Sequence, residues 1–138
     1  MADSAKSQVD PEVPRFKILI VEDDETNLKL ITATVKKFCN KILKAKTGIE
    51  AVEACHNNPD IDLILMDIRM PEMDGYEATR QIRQFNTEVL IIAQTAFALT
   101  GDREKALAAG CNDYISKPYG KSLLMSLIEK HFKNSTIN

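Results

Sequence analysis

Ile61-Asp62-Leu63-Ile64-Leu65-Met66-Asp67 is a short apolar run that ends on a carboxylate. An unbroken run of this length, flanked by polar residues, reads as a buried strand. On either side of it four more such runs occur, rich in Ile, Leu and Val, at 16–21, 42–45, 89–93 and, more weakly, 113–116. With 61–66 they predict five strands. Between and after them the apolar residues recur at helical spacing: Leu28, Ile31, Val35 and Phe38; Ala51, Val52 and Cys55; Ala78, Ile82 and Phe85; Leu124, Leu127, Ile128 and Phe132. The stretch 100–109 reads as helical from its Ala and Leu content alone. Strict alternation of strand and helix demands crossover connections, which give a parallel sheet with helices on both faces. The expected fold class is therefore α/β, doubly wound. Such sheets place ligands at the carboxyl ends of their strands, so the residues after each apolar run carry the functional reading.

Composition narrows the field. The 138 residues suit one domain. They are 44% hydrophobic and 28% charged, as in soluble folded proteins. Eighteen basic against 20 acidic side chains leave a formal charge of -2 with no basic run, which argues against nucleic acid and anionic bilayers as partners. No apolar run approaches the roughly 20 residues of a membrane span, and the opening residues lack a secretory signal, so a cytoplasmic location is expected. Cys39, Cys55 and Cys111 have neither disulfide-framework nor zinc-ligand spacing. Residues 1–15, polar with two prolines, read as a flexible tail or linker, 16–133 as the domain, and 134–138 as a C-terminal tail.

At the strand ends stand Glu22, Asp23, Asp24 and Glu25, then Asp67, Thr95 and Lys117. An acidic loop alone is most often a solvated one. Asp67 shifts the balance, because a carboxylate beside a buried run is costly to desolvate without a partner. If strands one and three are neighbours, Glu22, Asp23 and Asp67 converge, and three carboxylates repel unless cations hold them. An all-oxygen set suits Mg²⁺ better than zinc. Three carboxylates against a divalent ion and the Lys117 ammonium sum to zero, which leaves an incoming phosphoryl group attracted by metal and lysine. Asp67 is then the natural nucleophile, forming an acyl phosphate. Positioning and charge stabilisation by the ion, Lys117 and the Thr95 hydroxyl meet the needs of phosphoryl transfer.

Over 16–132 the chain resembles the receiver domain of two-component response regulators. The resemblance rests on Ile18-Leu19-Ile20-Val21-Glu22-Asp23, Leu65-Met66-Asp67-Ile68-Arg69-Met70-Pro71-Glu72-Met73-Asp74-Gly75, Ile91-Ile92-Ala93-Gln94-Thr95-Ala96 and Lys117-Pro118, in that order. It implies a flavodoxin-like sheet of order 2-1-3-4-5. Asp67 would accept a phosphoryl group from a phosphohistidine on a histidine kinase or histidine phosphotransfer protein. Mg²⁺ would be held by Asp67, by Asp23 directly, by Glu22 through water and by the backbone carbonyl of Arg69. Lys117 would pair with Asp67 and later with the phosphoryl oxygens, and its bond to Pro118 would be cis. Thr95 and Tyr114 would be switch residues, with helix four, strand five and helix five as the readout or dimer face, and helix one (26–38) would set partner choice. Glu22 stands where many receivers carry Asp, and Arg69 and Phe97 stand where the family tunes dephosphorylation. The pattern around Gly75 to Arg80 is similar to receivers at the C-terminal end of hybrid sensor kinases. With no effector region after helix five, such a receiver is favoured over a stand-alone regulator.

Competing chemistries fit less well. A haloacid-dehalogenase-type phosphohydrolase needs D-x-D, with the second carboxylate as general acid, and this chain has Asp67-Ile68-Arg69. A flavin site would meet a repelling acidic loop, and no G-x-x-x-x-G-K-[ST] loop occurs. Cys55 with His56, or Cys111 with His131, lacks an orienting third group for a nucleophilic site.

Overall fold

The computed structural model describes residues 16–36, 39–96 and 100–137. The expected tail 1–15, Phe38, Phe97 and Asn138 lie outside the described residues, as does the side chain of Phe132. Five strands alternate with five helices: β1 (Phe16–Val21), α1 (Glu25–Val35), β2 (Cys39–Ala45), α2 (Gly48–Asn57), β3 (Leu63–Asp67), α3 (Gly75–Arg83), β4 (Leu90–Thr95), α4 (Asp102–Ala109), β5 (Asp113–Ser116) and α5 (Lys121–Ile137). The strands form one parallel sheet of order β2-β1-β3-β4-β5. Strand bounds differ modestly from the expectation. β2 begins three residues earlier, at Cys39, because its first half is polar and shows no apolar run. β3 and β4 end on Asp67 and Thr95 themselves, so both polar side chains belong to the ladder rather than to the loops after it. α5 continues to Ile137, into the stretch expected as a C-terminal tail.

The unbroken apolar runs are explained by burial on both faces. Leu19, Val21, Ile64, Met66, Ile91 and Ala93 face one core, which also takes Ala51 and Cys55 of α2, Ala78 and Ile82 of α3 and Ala106 of α4. Ile18, Ile20, Leu63, Leu65 and Ile92 face the other, closed by Leu28, Ile31 and Val35 of α1 and by Leu124 and Ile128 of α5. Phe85 departs from its expected role. It falls after α3 ends, is 39% exposed, and stacks on His56 of α2 with ring centroids 3.7 Å apart.

Helix starts are capped as the sequence chemistry requires. The carboxylates of Asp24 and Asp74 and the hydroxyl of Thr47 accept from the N–H groups of Asn27, Glu77 and Glu50. Among the described residues no helix is long and apolar enough to cross a membrane.

Candidate functional site

The period of two along each strand, combined with the register, builds the site. Val21 pairs with Met66 across β1 and β3, so the next residues, Glu22 and Asp67, come level on neighbouring strands and on the same side of the sheet. Glu22 is held there by its N–H, which donates to the Ala45 carbonyl of β2 at 3.0 Å. Carboxylate oxygens of Glu22, Asp23 and Asp67 all lie within 4.8 Å of one another. Glu22 is 1% and Asp67 3% exposed, while Asp23 opens to solvent. Asp24 caps α1 with a side chain that faces water, and its N–H donates to Glu22 Oε2 at 3.3 Å.

Lys117 enters from the end of β5. Its N–H donates to the Thr95 carbonyl at 2.6 Å, which fixes the loop to β4, and the Lys117-Pro118 bond is cis. The ammonium lies 2.8 Å from Glu22 Oε1 and 3.7 Å from Asp67 Oδ1. Its shorter contact is thus to Glu22, rather than to Asp67 as expected from sequence. The Glu22 carboxylate reaches the ammonium from the residue just after β1.

The loop between β3 and α3 folds tightly around Asp67. Ile68 N–H donates to the Gln94 carbonyl and Gly75 N–H to the Ile68 carbonyl, both at 3.1 Å. A Cβ on Gly75 would sit 2.5 Å from the Asp67 carbonyl oxygen and 2.7 Å from Ile68 Cα, so only glycine permits this approach. Arg69 N–H donates to Asp67 Oδ1 at 3.3 Å.

Burial pushes the Asp67 carboxyl up, and the neighbouring charges of Glu22 and Asp23 push it further. Lys117 and the Arg69 N–H offset only part, leaving a pKa of about 7. Three close carboxylates with one ammonium carry a surplus of negative charge that a hard divalent cation would remove, and every donor in the set is oxygen.

Thr95 is fully buried at the end of β4. Tyr114 pairs with Ala93 across β4 and β5, which places Thr95 and Tyr114 on one face of the sheet by alternation, Tyr114 packing against the core there. The structure thus brings Glu22, Asp23, Asp67 and Lys117 together, while Thr95 and Tyr114 stand on β4 and β5, on the face that Met66 and Ala93 share.

The model for the response regulator receiver domain matches residues 18–129. The chain belongs to the response regulator receiver family. It is 38% identical over 123 residues to the signal transduction histidine-protein kinase BarA of Escherichia coli, covering 88% of this chain and 13% of that protein. It is 41% identical to hybrid signal transduction histidine kinase M of Dictyostelium discoideum, covering 82% of this chain and 5% of that one. The chain therefore spans only a small part of these relatives. Among solved structures, the receiver domain of the Pseudomonas aeruginosa sensor histidine kinase PA1611, with magnesium coordinated in its active-site cleft, superposes with a TM-score of 0.77 at 41% identity over 85% of this chain and 97% of that one. The receiver domain of Saccharomyces cerevisiae Ssk1, crystallised with the histidine phosphotransfer protein Ypd1, gives a TM-score of 0.77 at 34% identity over 85% and 88% of the two chains.

Sequence reasoning missed two polar constellations that adjoin the site residues of this receiver domain. Asp102, at the start of α4, is 3% exposed and binds Arg69 and Tyr76. Gln94, fully buried in β4, accepts a hydrogen bond from the Tyr119 hydroxyl just past Lys117-Pro118. A glutamine interrupting an apolar strand was the one available signal for the second.

Proposed function

We propose that this receiver domain takes a phosphoryl group from a phosphohistidine onto Asp67, with Mg²⁺, and passes the signal on by a change of conformation or by relay to a further histidine. The observation that carries the reading is the carboxylate cluster of Glu22, Asp23 and Asp67 with the Lys117 ammonium between two of its members. An Asp67 carboxylate oxygen attacks phosphorus, an O–P bond forms as the N–P bond breaks, and the electron pair returns to the imidazole.

The donor set fits the metal. Asp67, Asp23, Glu22 and the Arg69 carbonyl would hold Mg²⁺, which supplies charge neutralisation for the transferred group and keeps the nucleophile ionised. Lys117 binds a phosphoryl oxygen, for which its present contact with Glu22 must loosen. The Thr95 hydroxyl meets another oxygen, and Tyr114 follows on the same face. A groove between α1 and the residues after β5, lined by Leu30, Ile31, Pro118 and Tyr119 among others, lies beside Lys117, and Leu30 is a large exposed apolar side chain on it. It suits the apolar surface of a histidine-bearing helical partner. The relatives favour a receiver that forms part of a cytoplasmic hybrid histidine kinase over a stand-alone regulator, with the α4-β5-α5 face as the site of any phosphorylation-dependent partner or dimer.

The test is intact-protein mass after incubation with acetyl phosphate, with and without Mg²⁺. Wild type is expected to gain one hydroxylamine-labile phosphoryl group only with Mg²⁺, and Asp67→Asn to gain none. A gain that survives Asp67→Asn, or no gain in wild type, overturns the reading.

A further inference from the structure

Arg69 lies two residues beyond Asp67, yet its side chain serves another element. Its Nη2 donates to Asp102 Oδ2 at 2.9 Å, across 33 positions of sequence. The Tyr76 hydroxyl, from the first turn of α3, donates to the other oxygen, Oδ1, at 3.2 Å, and lies 3.4 Å from the Asp102 carbonyl oxygen. Asp102 opens α4 and is buried, whereas the Arg69 side chain is 46% exposed. A buried carboxylate on one element is therefore gripped by a half-hydrated guanidinium from the loop that carries Asp67. Nearby, the Tyr114 hydroxyl is buried with no hydrogen-bond partner among the described residues. Burial, and after it the Asp102 charge, raises its pKa.

We propose that Arg69, Asp102 and Tyr76 form a latch that ties the start of α4 to the loop after Asp67, and that a phosphoryl group on Asp67 opens it by drawing the Arg69 guanidinium off Asp102. The opening rests on the phosphoacceptor reading above; the closed latch does not. Guanidinium prefers a phosphoryl group, with more charge and three oxygens in a geometry its fork matches, to a single carboxylate. Once Arg69 leaves, Asp102 is a buried carboxylate short of one cationic partner, a costly state. The first turn of α4 relieves it by moving toward water, and the Tyr114 hydroxyl, without a partner among the described residues, gains an acceptor. Arg69 is in these terms a positioning residue whose two partners compete for it.

The experiment is backbone hydrogen exchange at Lys105, Ala106 and Leu107 of α4, before and after acetyl phosphate with Mg²⁺, with phosphoryl uptake followed by mass on the same samples. In wild type, phosphorylation is expected to speed exchange at these amides about fivefold. In Asp102→Asn, exchange is already that fast without phosphate, and phosphorylation adds little although uptake matches wild type. Tyr76→Phe, which removes one hydrogen bond and keeps the ring, falls between the two and serves if Asp102→Asn folds poorly. Slow exchange in both unphosphorylated variants, or an undiminished response to phosphate in them, overturns the latch. Should wild type take up no phosphate, the opening falls with the phosphoacceptor reading, while the unphosphorylated comparison still decides the closed latch.

Discussion

Asp67 and Asp113 stand at opposite ends of the sheet, and each is 3% exposed. Asp67 ends β3 at the carboxyl edge, and Asp113 begins β5 at the amino edge. Equal burial leaves them in opposite states. Asp67 faces Glu22 and Asp23 with one ammonium nearby, and its pKa rises to about 7, burial first and the acids after it. Asp113 is also pushed up by burial, but the hydrogen bonds from His131 and the Tyr114 N–H and the charges of Lys130 and His131 outweigh it, and its pKa is lowered. Arg103 of α4 adds a contact at 3.4 Å, while His131 and Lys130 of α5 lie at 2.8 and 3.8 Å. The difference separates a carboxyl crowded by other acids from a tie that joins two helices to an edge strand. Burial alone says nothing about which an acid will be; the sign of its neighbours does.

The two acids should differ most under divalent cation. Mg²⁺ at a hundredfold excess over its dissociation constant should stabilise wild type by about 2.7 kcal/mol, seen as a rise in urea midpoint. Asp113→Asn should keep that rise and Asp67→Asn lose most of it. Equal rises in all three proteins would place the ion elsewhere.

Next in size is the effect of Asp67→Asn in chelator-treated buffer. The folded carboxyl titrates near 7 against an ordinary value of about 3.9, so the native state holds the extra proton between those values. Stability contributed by this group is therefore full below about pH 4, falls as pH rises, and is gone above about pH 7. With solvent screening allowed for, Asp67→Asn should be more stable than wild type by about 2 kcal/mol at pH 8 and no different at pH 4. Urea unfolding at the two pH values measures it, and a variant less stable at pH 8 would mean that the carboxylate is stabilised in place.

How much of this was legible in the sequence follows from distance along the chain. The five strands announced themselves because burial on both faces requires unbroken apolar runs, and the acids of the site directly follow two of those runs. Asp67 was conspicuous through its neighbours Leu63 to Met66. β2 was read short because Asn40 and Lys41 at its start break the apolar run of an edge strand. The preference of Lys117 for Glu22 was hidden, since it depends on how far each side chain reaches across 95 positions. Asp102 was hidden for a different reason. An acid in the first turn of a helix is ordinarily a solvated charge that complements the helix dipole, and nothing local says that Arg69 and Tyr76 will close over it. Asp113 looked like an unremarkable strand start, because its partners, Arg103, Lys130 and His131, are polar side chains on helices, where such residues are expected at the surface.

The smallest effect probes the amino edge. A carboxyl whose pKa is depressed in the fold contributes stability that is present above its ordinary value and is lost as pH falls through the lower, folded value. For Asp113 that loss lies below about pH 4. Asp113→Asn retains an oxygen for the Tyr114 N–H, which now donates to Asp113 Oδ1 at 2.8 Å, but gives up the charge that holds His131, Lys130 and Arg103. Because Lys130 and Arg103 are more than half exposed, water replaces most of what they lose, and the cost should be about 1 kcal/mol at pH 7. The variant should also show a shallower decline in stability below pH 4 than wild type, as measured by urea midpoint against pH. A cost at pH 7 with an unchanged acid decline would assign the effect of Asp113 to packing and reduce the contrast with Asp67 to geometry.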